Sequence, residues 1–305
     1  MTTMNLVSIT DLTAEEILEI LDRSDELKRC RSRSGSETGQ VLARKSLATI
    51  FEKPSTRTRV SLEVAMTDLG GHALHLSSND LQLGRGETIA DTARVLSRFV
   101  HGIAARVFDH ATVEELAFHA EVPVINSLSN REHPCQILAD LMTMRERFGR
   151  LEGLKVAWIG DGNNVCNSTI LASALMGMDL TVASPSGHEP DGDILDEADR
   201  LGGRVEVMAD PAKAAEGAGV VETDTWVSMG DEAEAAWREK VFEPYQVNSE
   251  LMSLASAGAI VMHCLPAHRG QELTDDVMDG PQSAILDQSE NRLHTIKAVL
   301  ERFLS

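Results

Sequence analysis

The sequence has few of the features that mark a secreted, membrane-embedded or zinc-stabilised protein. It contains only four cysteines and no C-x-x-C pair, which argues against a disulfide framework or a zinc ribbon. No apolar run approaches the roughly 20 residues that cross a bilayer. The opening stretch, MTTMNLVSITDLTAEEIL, lacks the basic segment and apolar core of a signal peptide. These absences predict a cytoplasmic protein with no membrane partner.

Positive charge and aromatic side chains are also scarce. Lysine and arginine together number 28 against 48 aspartates and glutamates, the formal net charge is -20, and aromatic residues make up 4% of the chain. Nucleic-acid binding is disfavoured, because neutralising phosphates requires a basic face. Carboxylates spread along the whole chain keep a surface hydrated in concentrated salt, which favours a halophilic source. The alternative is an ordinary acidic enzyme, since net charge reports on solubility and not on fold.

Apolar runs bounded by turn residues alternate with segments of helical period along the 305 residues. Nine segments are predicted as strands: SLATIF, HALHL, GIAARVF, VPVINSL, KVAWIG, LTVAS, RVEVM, VVETDTWV and AIVMHCL. This rhythm predicts an α/β protein of two domains, each with a parallel sheet flanked by helices. The helical segment HPCQILADLMTMRERFG and the C-terminal helix RLHTIKAVLERFLS are predicted to join them. The predicted boundaries are 1–133 with 288–305 for one domain and 134–287 for the other.

One turn between a strand and a helix combines features of an anion site. After the strand SLATIF, Pro54 ends the extended run and Ser55 is placed to cap the helix that follows. Such a turn aims unpaired backbone N–H groups and the positive end of a helix dipole at one point. Arg57, Thr58 and Arg59 add bidentate and hydroxyl donors there. The alternative is a solvated helix start held by salt bridges.

Further polar groups follow other strands, at the sheet edge where open α/β proteins bind ligands. They are Arg106, His133, Gln136, Asp224, Ser228, Cys264 and His268. Taken singly, His133 fits a helix cap and Cys264 fits a buried small hydrophobic residue. The stretch WIGDGNN resembles a dinucleotide loop only weakly, because it lacks the third glycine of that fingerprint.

Four motifs, STRTR, HPCQ, DTWVSMG and HCLPAHRG, resemble in their order and spacing those of the ornithine carbamoyltransferase family. LQLGRGETIADTARVLSR and ENRLHTIKA also match the family pattern, and the likeness extends from the first helix to the last. It implies transfer of the carbamoyl group of carbamoyl phosphate to the δ-amine of L-ornithine, giving L-citrulline and phosphate. The sequence departs from the family pattern at Arg131 and Glu132, where family members often have an apolar or aromatic pair.

The resemblance also implies a role for each matching residue. The phosphate of carbamoyl phosphate is expected to contact Ser55, Thr56, Arg57, Thr58, Arg106, Arg292 and, from a neighbouring subunit, Gln82. The carbamoyl carbonyl and NH2 groups are expected to contact Thr58, Arg106, His133, Gln136 and the backbone near Cys264 and Leu265. L-Ornithine is expected to contact Leu128, Asn164, Asp224, Ser228 and Met229. The residues given catalytic roles are Arg106, His133, Asp224 and Cys264.

The assembly and the cofactor requirement follow from the same resemblance. A residue shared between subunits implies a homotrimer or a multiple of trimers, and the first and second domains are the carbamoyl phosphate-binding and ornithine-binding domains. No His/Cys/Asp cluster has metal-ligand spacing, so neither a metal nor another cofactor is predicted.

Several alternatives remain open from sequence. An aspartate-specific or a putrescine-specific carbamoyltransferase is the nearest rival, although the former carries other motifs and the latter does not need ligands for an α-carboxylate. A nicotinamide-dependent oxidoreductase would use WIGDGNN, and a non-catalytic anion-binding regulator would use STRTR alone. Neither explains all four motifs. Arginine biosynthesis and arginine deiminase catabolism are both compatible with the sequence.

Overall fold

The protein forms two compact α/β units. The structure, a computed structural model, describes residues 5–34, 40–77, 81, 86–227 and 232–305. One unit comprises Met1–Met142 with Glu290–Ser305, and the other comprises Thr143–Ser289. The domain boundaries predicted from the sequence, 133/134 and 287/288, stay predictions about which residues form each ligand-binding domain.

The first unit is built on a four-stranded parallel sheet. Its strands are β1 (Ser46–Phe51), β2 (His72–Ser77), β3 (Gly102–Arg106) and β4 (Val124–Leu128). They lie in the order β2-β1-β3-β4, and each neighbouring pair is parallel. The helices that begin in this unit are α1 (Ala14–Ser34), α2 (Thr56–Asp68), α3 (Ile89–Ser97), α4 (His110–His119) and α5 (Pro134–Phe148).

The second unit contains a five-stranded parallel sheet. Its strands are β5 (Lys155–Ile159), β6 (Asp179–Ala183), β7 (Arg204–Met208), β8 (Val220–Thr223) and β9 (Ile260–His263), in the order β7-β6-β5-β8-β9. The remaining helices are α6 (Asn164–Met176), α7 (Gly192–Arg200), α8 (Pro211–Ala215), α9 (Ala235–Phe242), α10 (Ser249–Leu254), α11 (Asp275–Met278) and α12 (Ile285–Leu304). The chain passes from the first unit to the second within α5 and returns within α12, which confirms the predicted pair of joining helices.

Burial explains why the strands read as continuous apolar runs. All residues of β1 after Ser46 are buried, and β8 and β9 are buried throughout. A parallel sheet covered by helices on both faces requires this, because neither side of the strand meets water. The predicted α/β architecture with two parallel sheets is therefore confirmed.

Side-chain caps fix where several helices begin. Thr13 and Glu16 exchange hydrogen bonds with each other's backbone N–H groups at 2.9 and 3.2 Å, so the predicted capping box opens α1. The hydroxyl of Ser55 accepts from the N–H of Thr58, which confirms the predicted cap of α2. Asn163 caps α6 by accepting from Val165 N and Cys166 N.

Strand β8 is shorter than the prediction of VVETDTWV. It ends at Thr223, because its neighbour β5 ends at Ile159 and the chain then turns at Gly160, whose φ is +134°. Beyond that point no ladder partner holds the chain extended, so Asp224 begins a loop instead of continuing the strand.

Both sheets reverse their strand order next to a central strand. In the first unit the reversal lies between β1 and β3, and in the second it lies between β5 and β8. The carboxyl ends of the strands at such a point are where open α/β sheets bind ligands. None of the helices in the described part of the chain combines the length and apolar character needed to cross a membrane.

Candidate active site

The first turn of α2 is joined to the C-terminal helix through a threonine and an arginine. Thr58 is fully buried, and its Oγ1 accepts a hydrogen bond from Arg292 Nη2 at 3.0 Å. Since Oγ1 is the acceptor in this contact, the hydroxyl proton of Thr58 is left to donate to another oxygen. The start of α2 therefore carries a guanidinium, a hydroxyl donor and the positive end of a helix dipole.

The two arginines of the STRTR motif differ in what they contact. Arg59 Nε donates to Glu63 Oε1 at 2.8 Å, one turn further along α2, in an exposed ion pair. Arg57 is half-buried and forms no ion pair with any residue that the structure describes. The alternative interpretation, a salt-bridged helix start, therefore holds for Arg59. The guanidinium of Arg57 is left for an anion.

A buried histidine lies in the field of two further arginines. Burial lowers the pKa of the His133 imidazole well below its ordinary value, and the charges of Arg292 and Arg106 lower it further. Arg106 ends β3, beside the last residue of β1 and the last residue of β4. His133 directly precedes α5 and is 2% exposed. The imidazole is consequently neutral near pH 7, and one of its nitrogens carries a hydrogen that it donates.

Gln136 presents a fixed acceptor in the same unit. Its Nε2 donates to Asp140 Oδ1 at 2.8 Å, one turn along α5. Because a carboxylate only accepts, this contact determines which end of the amide is the nitrogen. Gln136 Oε1 is buried and accepts from no residue in the described part of the chain. An NH2 group is the natural partner for such an oxygen.

Leu128, predicted to contribute a backbone contact to ornithine, is the last residue of β4. Its N–H donates to Asn126 Oδ1 at 3.0 Å, and its carbonyl accepts from Val107 N at 2.9 Å. The N–H is therefore already used. The carbonyl retains a second lone pair for a ligand.

In the second unit, Asp224 is the centre of a group of polar side chains at the ends of β5, β8 and β9. Its Oδ2 accepts from Asn163 Nδ2 at 2.8 Å, and its Oδ1 accepts from Cys264 Sγ at 3.0 Å. Asp224 is 7% exposed and Cys264 is partly buried. The predicted pair Asp224 and Cys264 is thus brought together, because β8 and β9 are neighbours in the sheet. A carboxylate held by two donors still has lone pairs for a third.

Asn163 was missed by sequence reasoning, which named its neighbour. Asn164 is the first residue of α6 and half-buried, whereas Asn163 caps the helix and also reaches Asp224. An asparagine immediately before a predicted helix is a cap signal, and that signal was available in GDGNN.

A buried histidine and a buried glutamate hold the turn after Cys264 through hydrogen bonds. Neither was predicted as a site residue. Leu265 has φ +62°, a conformation that is strained for a residue with a side chain. Its N–H donates to His263 Nδ1 at 2.8 Å, and His263 Nε2 lies 3.2 Å from Glu272 Oε1. Since Nδ1 accepts, Nε2 carries the hydrogen and donates it to Glu272. This contact holds the backbone of Cys264 and Leu265 in one conformation.

Asp224, His263 and Cys264 also form the only group of three metal-ligating side chains found among the described residues, with one donor atom each within 4.8 Å. Both ring nitrogens of His263 are already engaged, with Leu265 and Glu272. A metal ion would have to displace one of these contacts. The donor set therefore fits a hydrogen-bond network better than a metal centre.

The glycine turn after β5 is built for packing rather than for a dinucleotide. A Cβ on Gly162 would meet Pro190 N at 2.3 Å, so the glycine allows close contact with another loop. The first N–H groups of α6 are capped by Asn163, whereas a dinucleotide fold offers those groups to a pyrophosphate. This geometry removes the support for the oxidoreductase alternative.

Three predicted ligands, Gln82, Ser228 and Met229, lie outside the described residues. Thr56 is exposed and is the first residue of α2. The predicted residues Thr58, Arg106, His133, Gln136 and Arg292 belong to the first unit, and Asp224, Cys264 and Leu265 belong to the second.

Comparison with known proteins covers nearly the whole chain. Residues 4–146 match the sequence model of the aspartate/ornithine carbamoyltransferase carbamoyl-P binding domain. Residues 152–303 match that of the Asp/Orn binding domain of the same family.

Individual relatives are similar over their full length. The ornithine carbamoyltransferases of Methanosarcina mazei and Methanospirillum hungatei JF-1 are 57% and 58% identical to the chain. The alignments cover 98% and 99% of this chain and 99% of each relative. The solved structure of ornithine carbamoyltransferase from Pyrococcus furiosus is 53% identical with a TM-score of 0.94, covering 98% of this chain and 96% of that one.

Proposed function

The chain belongs to the aspartate/ornithine carbamoyltransferase family, and from this premise we propose how its two units divide one reaction between them. Its activity is that of an ornithine carbamoyltransferase of arginine metabolism. The carbamoyl group passes from carbamoyl phosphate to the δ-amine of L-ornithine, and L-citrulline and phosphate are released.

Carbamoyl phosphate binds to the first unit. The start of α2 receives its phosphate through Ser55, Thr56, Arg57 and Thr58, with Arg106, Arg292 and Gln82 of a neighbouring subunit. The support for this assignment is electrostatic. In a chain of formal charge -20, the described part places Arg292 on Thr58 and leaves Arg57 without a carboxylate partner. A dianionic phosphate supplies a counter-charge for Arg57 and accepts hydrogen bonds from the donors around it.

The carbamoyl group is activated by donors aimed at its carbonyl oxygen. Neutral His133 donates one hydrogen bond, and Arg106 and the hydroxyl of Thr58 donate others. Gln136 Oε1 accepts from the carbamoyl NH2 group and so sets its rotation, together with the backbone at Cys264 and Leu265. Fixed donors of this kind stabilise the oxygen as it becomes negative, and such stabilisation is commonly the largest single contribution to rate.

L-Ornithine binds to the second unit, with a backbone contact from Leu128. Asp224 and the thiol of Cys264 align the δ-amine, while Asn164, Ser228 and Met229 hold the α-amino and α-carboxylate groups. Asp224 suits this role because it is a buried carboxylate with two donors already in place and an open lone pair. Asn163 keeps the carboxylate in its orientation and is a positioning residue.

The steps follow from these contacts. The lone pair of the neutral δ-amine forms a bond to the carbamoyl carbon, and the carbonyl π electrons move to the oxygen that His133 and Arg106 face. When the carbonyl re-forms, the carbon–oxygen bond to phosphate breaks and phosphate leaves with that electron pair. The attacking nitrogen loses its extra proton to the departing phosphate. No redox change occurs, and holding the two reactants in contact contributes through orientation.

The observation that carries this proposal is that Asp224 accepts hydrogen bonds from Asn163 and Cys264 at the ends of three neighbouring strands. Its test is product formation by the purified protein from carbamoyl phosphate with ornithine, putrescine or aspartate as the acceptor amine. We expect citrulline from ornithine and little product from the other two amines. A preference for putrescine or aspartate would overturn the assignment of the amino-acid site.

We propose further that the protein acts as a homotrimer, or a multiple of trimers, in the cytoplasm of a salt-adapted cell, and that it binds no nucleic acid. Gln82 of one subunit completes the phosphate site of another in this assembly. A monomer with full activity at high dilution would contradict the shared site.

A further inference from the structure

Arg238 joins the two loops that carry the Asn163–Asp224 pair. It lies on α9, and its Nη1 donates to Asp161 Oδ2 at 3.0 Å and to the carbonyl oxygen of Trp226 at 3.2 Å. Asp161 lies in the loop after β5, and Trp226 lies in the loop after β8. One guanidinium nitrogen thus bridges the ends of two adjacent strands.

The bridge is buried, which makes it costly to break. The side chains of Arg238 and Asp161 are 10% and 9% exposed. Glu234 also lies near Arg238, with its carboxylate 3.6 Å from Nε and 60% exposed, and His188 Nδ1 lies 3.5 Å from Asp161 Oδ1. Removing one partner of a buried pair weakens the compensation of the other partner's charge. Such a pair is well suited to fix one arrangement of the loops.

The positions of the bridged residues relate the bridge to the site. Asp161 precedes Asn163 by two residues, and Trp226 follows Asp224 by two. Asn163 Nδ2 and Asp224 Oδ2 are in turn 2.8 Å apart. The Trp226 ring also stacks on Phe242 of α9, with ring centres 6.1 Å apart and planes 23° apart. Helix α9 therefore contacts both of the loops that carry Asn163 and Asp224.

We propose that Arg238 is a positioning residue for L-ornithine: it sets the separation of Asn163 and Asp224 and thereby the orientation of the carboxylate that receives the δ-amine. The inference rests on the proposed assignment of Asp224 to the ornithine site. Arg238 itself contacts neither substrate. Its influence is confined to the second unit, since all five residues of the bridge and the pair belong to that unit.

The test uses Arg238→Met, which removes every donor but keeps the apolar stem, and Arg238→Lys, which keeps a charge and a donor nitrogen. Lys240→Gln is the matched control, because Lys240 is an exposed cation on the same helix. The full-length protein is assayed for citrulline formation over a range of ornithine concentrations. Carbamoyl phosphate binding is measured separately by calorimetry, and thermal unfolding reports on the fold.

For Arg238→Met we expect the ornithine KM to rise by up to about 100-fold, the size of effect that a misplacement of about 1 Å can have. The variant should keep its affinity for carbamoyl phosphate. Arg238→Lys should show a smaller rise, and Lys240→Gln should match the wild type. Should Arg238→Met fail to fold, the Lys variant carries the test through its ornithine KM.

Two results would overturn the inference while the assignment of Asp224 stands. One is an unchanged ornithine KM in both Arg238 variants, with Asp224→Asn impaired in parallel; the assignment of Asp224 would then stand without the bridge. The other is an equal loss of affinity for both substrates, which indicates a general effect on the fold. If Asp224→Asn also keeps its ornithine KM, the proposed site fails, and the positioning role fails with it.

Discussion

The guanidinium of Arg292 donates to Oγ1 of Thr58 at 3.0 Å, although 234 positions separate the two residues in the chain. Arg292 lies on the C-terminal helix α12, and Thr58 lies in the first turn of α2. The contact brings a cation from the end of the chain to the turn near its beginning that we propose binds phosphate. Both residues belong to the first unit.

Arg57 provides the most direct test of the phosphate site. Changing Arg57 to Ala should remove a charge-assisted contact worth about 1.5 to 3 kcal/mol. Each 1.4 kcal/mol corresponds to about a tenfold loss of affinity. Calorimetry with carbamoyl phosphate should therefore show a Kd raised at least about tenfold.

The same motif offers a matched control for that change. Arg59 is two residues away and is paired with Glu63 on an exposed surface of α2. Arg59→Ala should leave the affinity for carbamoyl phosphate close to that of the wild type, because exposed pairs contribute about 0 to 1 kcal/mol. Equal effects of the two changes would mean that the motif acts only through its net charge.

Much of the fold was predictable from sequence, because the apolar segments that favour strands locally are also the segments that the folded protein buries. The segment SLATIF is a strand in its entirety, since a continuous apolar run between turn residues suits a parallel strand covered on both faces. The prediction failed at the end of β8, where DTWV is apolar enough to read as strand. What ends β8 is the length of its neighbour β5, and a single segment does not report its neighbour's length.

The site was predictable to the extent that its residues follow strands. Asp224 and Cys264 directly follow adjacent parallel strands, so their proximity follows from the topology that the alternating pattern predicts. Asn163 and Arg238 could not be assigned in this way. Their partners depend on how two loops fold against α9, which the pattern of strands and helices does not predict.

His133 should act as a neutral hydrogen-bond donor. Burial, together with Arg292 and Arg106, lowers the pKa of its imidazole well below the ordinary value, so it stays uncharged across the neutral range. His133→Phe removes the donor and should reduce kcat by about 100-fold or more, as loss of one donor to a developing oxyanion does. Carbamoyl phosphate binding, measured by calorimetry, should change far less.

The pH profile separates this role from that of a charged histidine. The pH dependence of kcat is compared for the wild type and His133→Phe between about pH 6 and about pH 8, a range that includes the ordinary histidine pKa of about 6.5. We expect both proteins to show the same pH dependence in this range. If kcat of the wild type changed with pH in that range and kcat of the variant did not, His133 would change its charge during turnover.

Stability should depend on pH through buried His294. Burial lowers the pKa of this imidazole to about 4; Glu290 opposes the shift, and the charges of Lys297 and Lys28 add to it. In the unfolded chain the group takes up a proton near its ordinary value of 6.5. The unfolded state therefore binds more protons between these two pH values, and stability present above the upper value is lost as the pH falls toward about 4.

His294→Gln should remove this contribution, which reaches at most about 1.4 kcal/mol per pH unit. Urea unfolding at fixed protein concentration measures it, as the difference in slope between variant and wild type. His72→Gln, at an exposed position on β2, is the control and should keep the wild-type slope. Parallel slopes for wild type and His294→Gln would show that His294 titrates normally in the folded protein.

Salt should stabilise the protein and its proposed trimeric assembly. The formal charge of -20 implies repulsion among carboxylates, which is screened over about 3 Å in molar salt but about 10 Å at 0.1 M. The Tm and the sedimentation coefficient should both rise between about 0.1 and about 3 M KCl, the range over which screening changes most. Flat profiles over that range would contradict the halophilic interpretation.

Asp224 gives the most discriminating test of substrate choice. Its carboxylate accepts from Asn163 and Cys264 and is nearly buried, so Asp224→Asn keeps the shape of the side chain but removes the charge that faces an ammonium or amine. Breaking a buried, hydrogen-bonded charge pair costs about 2 to 5 kcal/mol, so kcat/KM for ornithine should fall by a factor of about 100 or more. Carbamoyl phosphate binding should barely change, because the proposed ligands of its phosphate belong to the other unit. Asp196→Asn, at an exposed position on α7, should behave as the wild type.

The same enzyme preparations test which amine the site accepts. Putrescine lacks the α-carboxylate and leaves polar ligands of the site unpaired, so it should be a poor substrate. Lysine, longer by one methylene, should also react slowly, because its amine passes the carbamoyl carbon and loses its orientation. Both are measured by carbamoylated product under the conditions used for ornithine. If Asp224→Asn kept full activity with ornithine, or if putrescine outcompeted ornithine in the wild type, the carboxylate would not be the group that selects the amine.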